Sequence, residues 1–194
     1  MRNCWALTML LVFLSVPVLG APPKSQRIPY PDTYDSIVIP VDSTIRYSGF
    51  RNKDGGLVAA FRGRFVVTGT YYYGDNDFND SGDEKPSDYE FDPQAYIVPD
   101  NAEVGRLPHF AIRKADRYVI FIDNPQAFAK VVVSKSAQRR VRCRNCGVAT
   151  GHIAIWMDKF GASIVCDGPN YEARFLSIYK PPQLAIVPRP DRAC

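Results

Sequence analysis

Cys143-Arg144-Asn145-Cys146 is the shortest-spaced reactive pair in the chain, and its spacing admits three chemistries. A redox dithiol needs one sulfur at a helix N-terminus to hold the thiolate, whereas Gly147 and a strand pattern follow here. A zinc site would recruit His152 and Cys166, but Cys-x2-Cys-x5-His-x13-Cys lacks the usual second ligand pair. Structural disulfides are the favoured reading, with Cys146–Cys166 as the first choice, which leaves Cys143 and Cys194 to join each other or to remain labile. A different chemistry is written into residues 75–92, where Asp75, Asp77, Asp80, Asp83, Glu84, Asp88, Glu90 and Asp92 face a single Lys85. Within that stretch Asp77, Asn79, Ser81, Asp83 and Asp88 follow the oxygen-ligand spacing of a calcium loop, with Gly82 at its sharp turn. Glu84 at the usually apolar eighth position, Pro86, and a preceding strand in place of a helix depart from that pattern. The competing reading is a solvated acidic hairpin loop, so no cofactor is required and Ca²⁺ is the one cation the spacing would suit. Asn79-Asp80-Ser81 is also an N-glycosylation acceptor in a eukaryotic host.

Which of these chemistries applies depends on the compartment. Met1-Arg2-Asn3 is a short basic start, residues 4–18 are apolar apart from Thr8 and Ser15, and Pro17 and Gly20 precede Ala21. This is the three-part pattern of a secretory signal peptide with cleavage after Gly20. The apolar run falls short of the ~18 residues of a membrane span, and no later run reaches that length. The expected product is an exported protein, periplasmic or secreted, with no transmembrane segment in the mature chain. Cys4 leaves with residues 1–20, and the four cysteines that remain enter an oxidising compartment where disulfides are the default.

The chain has 194 residues and a net charge of +4, of which residues 1–20 carry only Arg2. That length suits one domain with a real core. With 46% apolar residues and no fixed glycine or proline period, collagen, long coiled coil and wholesale disorder are excluded. The small, mixed charge does not by itself announce a nucleic-acid binder, and export argues against one.

The elements that would position these groups are mostly strands. Residues 21–33 hold Pro22, Pro23, Pro29 and Pro31 and read as an extended lead-in. Ile37, Ile39, Val41, Ile45 and Tyr47 share one parity, the mark of a half-buried strand, with Pro40 placing it at a sheet edge. Asp54-Gly55-Gly56 reads as a turn. Residues 61–73 alternate more clearly, with Gly63 and Gly69 on the apolar face, where glycine permits coiling and close approach of a facing strand. Further strands are expected at 94–98, 118–122, 151–158 and 171–180, with 163–166 pairing back on 151–158 across a turn at 159–161. Asn124-Pro125, followed by Ala127, Phe128, Val131 and Val132, predicts a helix over 125–133. Pro181, Pro182, Pro188 and Pro190 then open a tail over 181–194, leaving 34–180 as one domain.

Strand, strand, strand, helix, strand, strand resembles the OB-fold, a five-stranded Greek-key barrel. The likeness covers residues 61–180, and the helix opened by Asn124-Pro125 carries most of it. It implies a mainly β fold: an OB-like five-stranded antiparallel barrel with one short helix and an extra N-terminal strand.

Contact surface for such a module would come from aromatic residues, among them Tyr71, Tyr72, Tyr73, Trp156, Tyr171 and Tyr179, although core packing competes for most of them. Lys135, Arg139, Arg140, Arg142 and Arg144 form a basic cluster before residue 151. Tyr72, Trp156, Arg139, Arg140 and Arg142 are therefore the candidate binding residues, for an unknown protein or an anionic polymer. Neither His109 nor His152 has a sequence-local carboxylate or nucleophile, and a serine elbow, phosphate loop and zinc-protease helix are all missing from the sequence. The expected function is a non-catalytic exported binding or interaction module. The alternatives are a calcium- or disulfide-stabilised structural envelope protein and a thiol-redox enzyme using Cys143 and Cys146.

Overall fold

The structure is a computed structural model that describes residues 25–31, 33–75, 91–113, 117–142, 148–166 and 168–187, with backbone only for 181–187. It is mainly β. The strands are β1 (Gln26–Pro29), β2 (Ser36–Ile39), β3 (Arg46–Lys53), β4 (Gly56–Arg62), β5 (Phe65–Asp75), β6 (Pro93–Pro99), β7 (His109–Phe110), β8 (Ile120–Ile122), β9 (Val148–Val165) and β10 (Gly168–Val187). Three short helices interrupt them: α1 (Asn101–Val104), α2 (Pro125–Val132) and α3 (Lys135–Arg140).

Seven strands form one sheet in the order β10-β8-β6-β5-β9-β4-β3, and β10 also pairs with β9. The β10 strand runs parallel to β8 over Tyr171–Ile120 and antiparallel to β9 along its length. A second sheet of three strands, β1-β2-β7, covers one end.

Several sequence expectations are corrected here. The lead-in is partly an element, because Gln26–Pro29 pairs antiparallel with Ser36–Ile39. The alternating run at 37–47 is two strands in different sheets, broken where the Ser43 amide turns back to the Pro40 carbonyl at 3.1 Å. The run at 61–73 is also two strands. Gly63, at φ 118°, takes a backbone conformation that other residues rarely adopt, and β4 ends just before it at Arg62. The expected turn at 159–161 is not a turn. Lys159 (φ 52°) sits in a bulge where β9 stops pairing with β5 and starts pairing with β4. Residues 181–187 continue β10, with Pro181 and Pro182 absorbed at a register shift between Lys180 and Gln183.

Other expectations match. Asp54 and Gly55, both at positive φ, make the two-residue β3–β4 hairpin. The helix starts at Pro125 and ends at Val132, before Val133 turns extended. Asn124 does not cap it. Its side chain instead exchanges two hydrogen bonds with the Phe175 backbone, donating to the carbonyl at 3.0 Å and accepting from the amide at 2.8 Å. This couples the start of α2 to β10.

Alternation along β5 sends Phe65, Val67, Tyr71 and Tyr73 inward, where they meet Ile97, Ile120, Ile155 and Met157. Phe128 of α2 closes one end of this core, edge-on to both Tyr71 and Phe175. Fully burying each such side chain is worth about 1.5–3 kcal/mol. The Tyr71 hydroxyl is buried with no hydrogen-bond partner among the described residues, and burial pushes its pKa up to about 12. At the other end the buried Glu172 carboxylate accepts from Arg51 (2.8 Å) and Lys53, and Lys53 also reaches Asp123 at 3.3 Å. The β3–β4 hairpin is thereby tied to β10.

Gly69 fits the role the alternation gave it. A Cβ there would lie 2.2 Å from the Val98 carbonyl oxygen and 2.8 Å from the Pro99 Cα. Gly69→Ala is therefore expected to lower unfolding stability by about 2–3 kcal/mol, because backbone must move. Gly105→Ala, which meets nothing within 4 Å, should be neutral. Urea denaturation of both variants checks the pair, and equal midpoints would contradict the close approach.

Candidate functional site

Even-numbered residues of β5 point outward, so Tyr72 emerges on the outer face of the sheet. Register places Tyr72 opposite Tyr96 of β6, and Tyr96 opposite Phe121 of β8. The result is a half-buried aromatic row across three strands. Tyr72 and Tyr96 stack with ring centroids 4.9 Å apart and planes at 17°, and Phe121 follows at 6.0 Å from Tyr96. Offset stacking of this kind is worth about 0.5–1.5 kcal/mol per pair beyond area burial. The exposed Arg117 closes the row, with its guanidinium carbon 5.7 Å from the Tyr72 ring centroid and Nη2 donating to the Tyr72 hydroxyl at 3.3 Å.

Beside the row lies a cavity of about 510 Å³ that shares Arg117 with it and is lined also by Val98, Asn101, His109, Arg113 and Tyr118. Its inner wall is a second stack, Tyr118 on Tyr171 at 4.2 Å and 10°. Burial pushes the Tyr171 hydroxyl up to about 12 and the Tyr118 hydroxyl well above the usual tyrosine range. Both phenols thus stay neutral near pH 7. Tyr118 donates to the Pro108 carbonyl at 2.7 Å, and Tyr171 accepts from the Phe110 amide at 3.3 Å.

Trp156 lies farther along the same outer face, opposite Val66 of β5. It meets Tyr179 edge-on at 5.8 Å and 88°. This pair lines a cavity of about 470 Å³ together with Arg64, Arg106, Lys180, Asp42 and Glu103. Between row and cavity stands His152, whose Nε2 is 3.1 Å from both carboxylate oxygens of Asp100. The sequence offered no local carboxylate for this histidine; the fold supplies one from the end of β6.

The candidate residues are therefore not one cluster. Tyr72 belongs to the row and Trp156 to the cavity. Arg139 and Arg140 sit exposed in the last turn of α3, where basic side chains favour the helix dipole. Ser134 begins that helix by accepting from the Ala137 amide at 3.2 Å. Arg142 lies over the Phe91 ring at 5.6 Å. Tyr96, Phe121 and Arg117 were missed, because cross-strand register is not visible in a single strand's alternation.

The calcium spacing at 77–88, with Asp77, Asn79, Ser81, Asp83 and Asp88, lies outside the described residues, as do residues 1–20, Cys143, Cys146 and Cys194. Cys166 is described, and its thiol is exposed and free among the described residues. Its pairing with Cys146 was expected from a hairpin within 151–166. That hairpin is one continuous strand, Val148–Val165, and the pairing itself involves Cys146 and so lies outside the described residues. Among the described residues no helix is long and apolar enough to cross a membrane. The chain matches no protein-family model, no curated protein and no solved structure.

Two carboxylates bracket this surface electrostatically. Arg174 donates to Asp158 from Nε (2.8 Å) and Nη2 (2.7 Å) and so lowers its pKa, with Lys159 and Arg64 adding to the effect. Burial alone would raise Asp35, but the amides of Arg113, Ile112, Ser36 and Ala111 outweigh it and the net shift is downward. A depressed folded pKa gives stability that is present above the unfolded value of about 3.9 and lost as pH falls through the folded value. Unfolding stability is thus expected to be flat from these two groups above about pH 4 and to fall below it. Asp158→Asn should reduce that acid slope in urea titrations at pH 6 and pH 3; an unchanged slope would rule out Asp158 as a contributor.

Proposed function

We propose that this chain is an exported, non-catalytic interaction module on an OB-like five-stranded barrel, which docks a protein partner through the outer face of β5, β6 and β8. The barrel reading is supported by the pairing sequence β5-β6-β8-β10-β9, which returns to β5, with the β8–β10 step parallel and every other step antiparallel. The helix between β8 and β9 suits the same reading. On that barrel β3 and β4 extend the sheet from β9, and the β1-β2-β7 sheet is an addition at one end.

The observation that carries the function is the row Tyr72–Tyr96–Phe121 with Arg117 at its edge. Tyrosine and arginine are the residue types that concentrate binding energy at protein interfaces, because they present large rigid area with a polar end. Export is supported by the charged start, short apolar run and small residue before Ala21. It also favours a protein or polymer of the cell envelope over nucleic acid.

The test is a photo-crosslinking residue placed at Gln94, which points outward on β6 two positions before Tyr96. A discrete crosslinked species is expected in the native host. It should disappear in the Tyr72→Ala/Tyr96→Ala double variant, since two interface anchors cost about 2–4 kcal/mol together. A probe at Lys130, exposed on α2, should give no such species. The same species from both positions, or its persistence in the double variant, would refute the assigned surface.

A further inference from the structure

We infer that the cavity beside Trp156 is a second binding site, distinct from the aromatic row, and that it takes an anionic saccharide. β4 ends at Arg62 and β5 begins at Phe65, so Gly63 and Arg64 form the break between two strands. Thr44 donates to the Arg64 carbonyl at 3.3 Å and holds that break in place. Trp156 lies on β9 opposite Val66 and Ser177, and Tyr179 lies on β10 beside a register shift. The indole is thus mounted on paired strands and braced edge-on by Tyr179.

Cavities open on two sides of the Trp156–Arg64 pair. One, of about 470 Å³, is bounded by Asp42, Thr44, Thr68, Glu103 and Lys180. The other, of about 540 Å³, is bounded by Leu176 and Ser177. Both include Trp156 and Arg64 in their walls, so a ligand of two or more linked rings can use them in succession.

The lining selects the ligand chemistry. A sugar ring has an apolar C–H face for an indole and hydroxyls that both donate and accept. Here Asp42, Glu103 and the Thr44 hydroxyl oxygen can accept, Thr68 can donate or accept, and the indole supplies the flat wall. A purely aromatic ligand would leave these polar groups desolvated and unpaired, which costs about 1–3 kcal/mol each. The charge requirement follows from the cations. Arg106 is already engaged by Asp42 (3.5 Å) and Glu103 (3.8 Å). Arg64 and Lys180 have no ion-pair partner within 4 Å among the described residues, although Arg64 lies close enough to Asp158 to help lower its pKa. Lys180 instead lies over the Tyr179 ring at 6.0 Å. Two cations in the wall beside the indole, neither in an ion pair within 4 Å among the described residues, call for a carboxylate, sulfate or phosphate on the sugar.

Trp156 is one of two tryptophans, and the other, Trp5, precedes the expected cleavage site. Intrinsic fluorescence of the exported chain therefore reports on this cavity. The probe is the trimer of galacturonic acid, with calorimetry as the parallel readout. A saturable change in emission is expected, weakened about tenfold for the methyl-esterified trimer, which keeps the rings and loses the charge. Arg64→Gln and Lys180→Gln, both at exposed positions, should each weaken binding about fivefold, with Lys180→Gln leaving the melting temperature unchanged. A sulfated galactose trimer that binds as tightly as the carboxylated one would support the shared anionic-sugar chemistry. Absence of binding by either acidic trimer would overturn the proposal. So would equal affinity for the ester, or equal affinity for tri-glutamate, which carries the charges without the rings. Loss of the aromatic row in the Tyr72→Ala/Tyr96→Ala variant should leave this titration intact.

Discussion

Two hydrogen-bonded edges on one strand constrain everything else in this molecule. β10 pairs with β9 on one side and with β8 on the other. An open sheet of the same strands would leave unpaired amides along β8 and β10, a standing invitation to aggregation. Returning the sheet on itself within so few strands demands strong coiling and close backbone contact. The chain meets that demand at Gly69, where β5 passes against the Val98 carbonyl, while Gly161 leaves room for the Glu172 and Val58 side chains, which a Cβ would approach to 2.9 Å. Bulges in β9 and β10 absorb the rest of the bend.

The same constraint creates the outer surface. Once the odd-numbered side chains of β5 are committed to the core, the even-numbered ones must face out, and antiparallel register aligns them with their neighbours on β6 and β9. Tyr72, Tyr96 and Phe121 come into line for that reason and not because of any local motif. The bulge at Lys159 has a parallel effect. It swings β9 from β5 to β4, just beyond Trp156, and the space beside the indole lies along that divergence. Surface chemistry here is a by-product of how a short sheet bends.

How much of this was legible in the sequence depended on the range of the interaction. The helix after Asn124-Pro125, the Asp54-Gly55 turn, and the strands at β6, β8 and the central part of β9 were readable because turn chemistry and alternation are local. The close approach at Gly69 was readable because a glycine on an apolar strand face has few other uses. The break at Pro40–Ile45 was not, since its residues keep the same parity on either side of the turn. The 159–161 segment looked like a turn because Lys159 and Gly161 carry turn-like composition, yet pairing to two different partners held it extended. Asn124 was read as a cap by type, while a distant backbone, that of Phe175, claimed its side chain. The site was half legible. Tyr72 and Trp156 were named, but their partners Tyr96, Phe121, Arg117, Arg64 and Lys180 are set by register and strand breaks that only tertiary pairing determines.

Closure through β10 is most directly tested by inter-strand nuclear Overhauser contacts in labelled protein. Parallel pairing predicts cross-peaks linking Tyr171, Glu172 and Ala173 to Ile120, Phe121 and Ile122, alongside antiparallel contacts from Tyr171 to Ala162. Both sets, with slow amide exchange along Tyr171–Ala173, are the expected result. Contacts from β10 to β9 alone, with the β8-facing amides exchanging rapidly, would mean an open sheet and would overturn the closed-barrel reading.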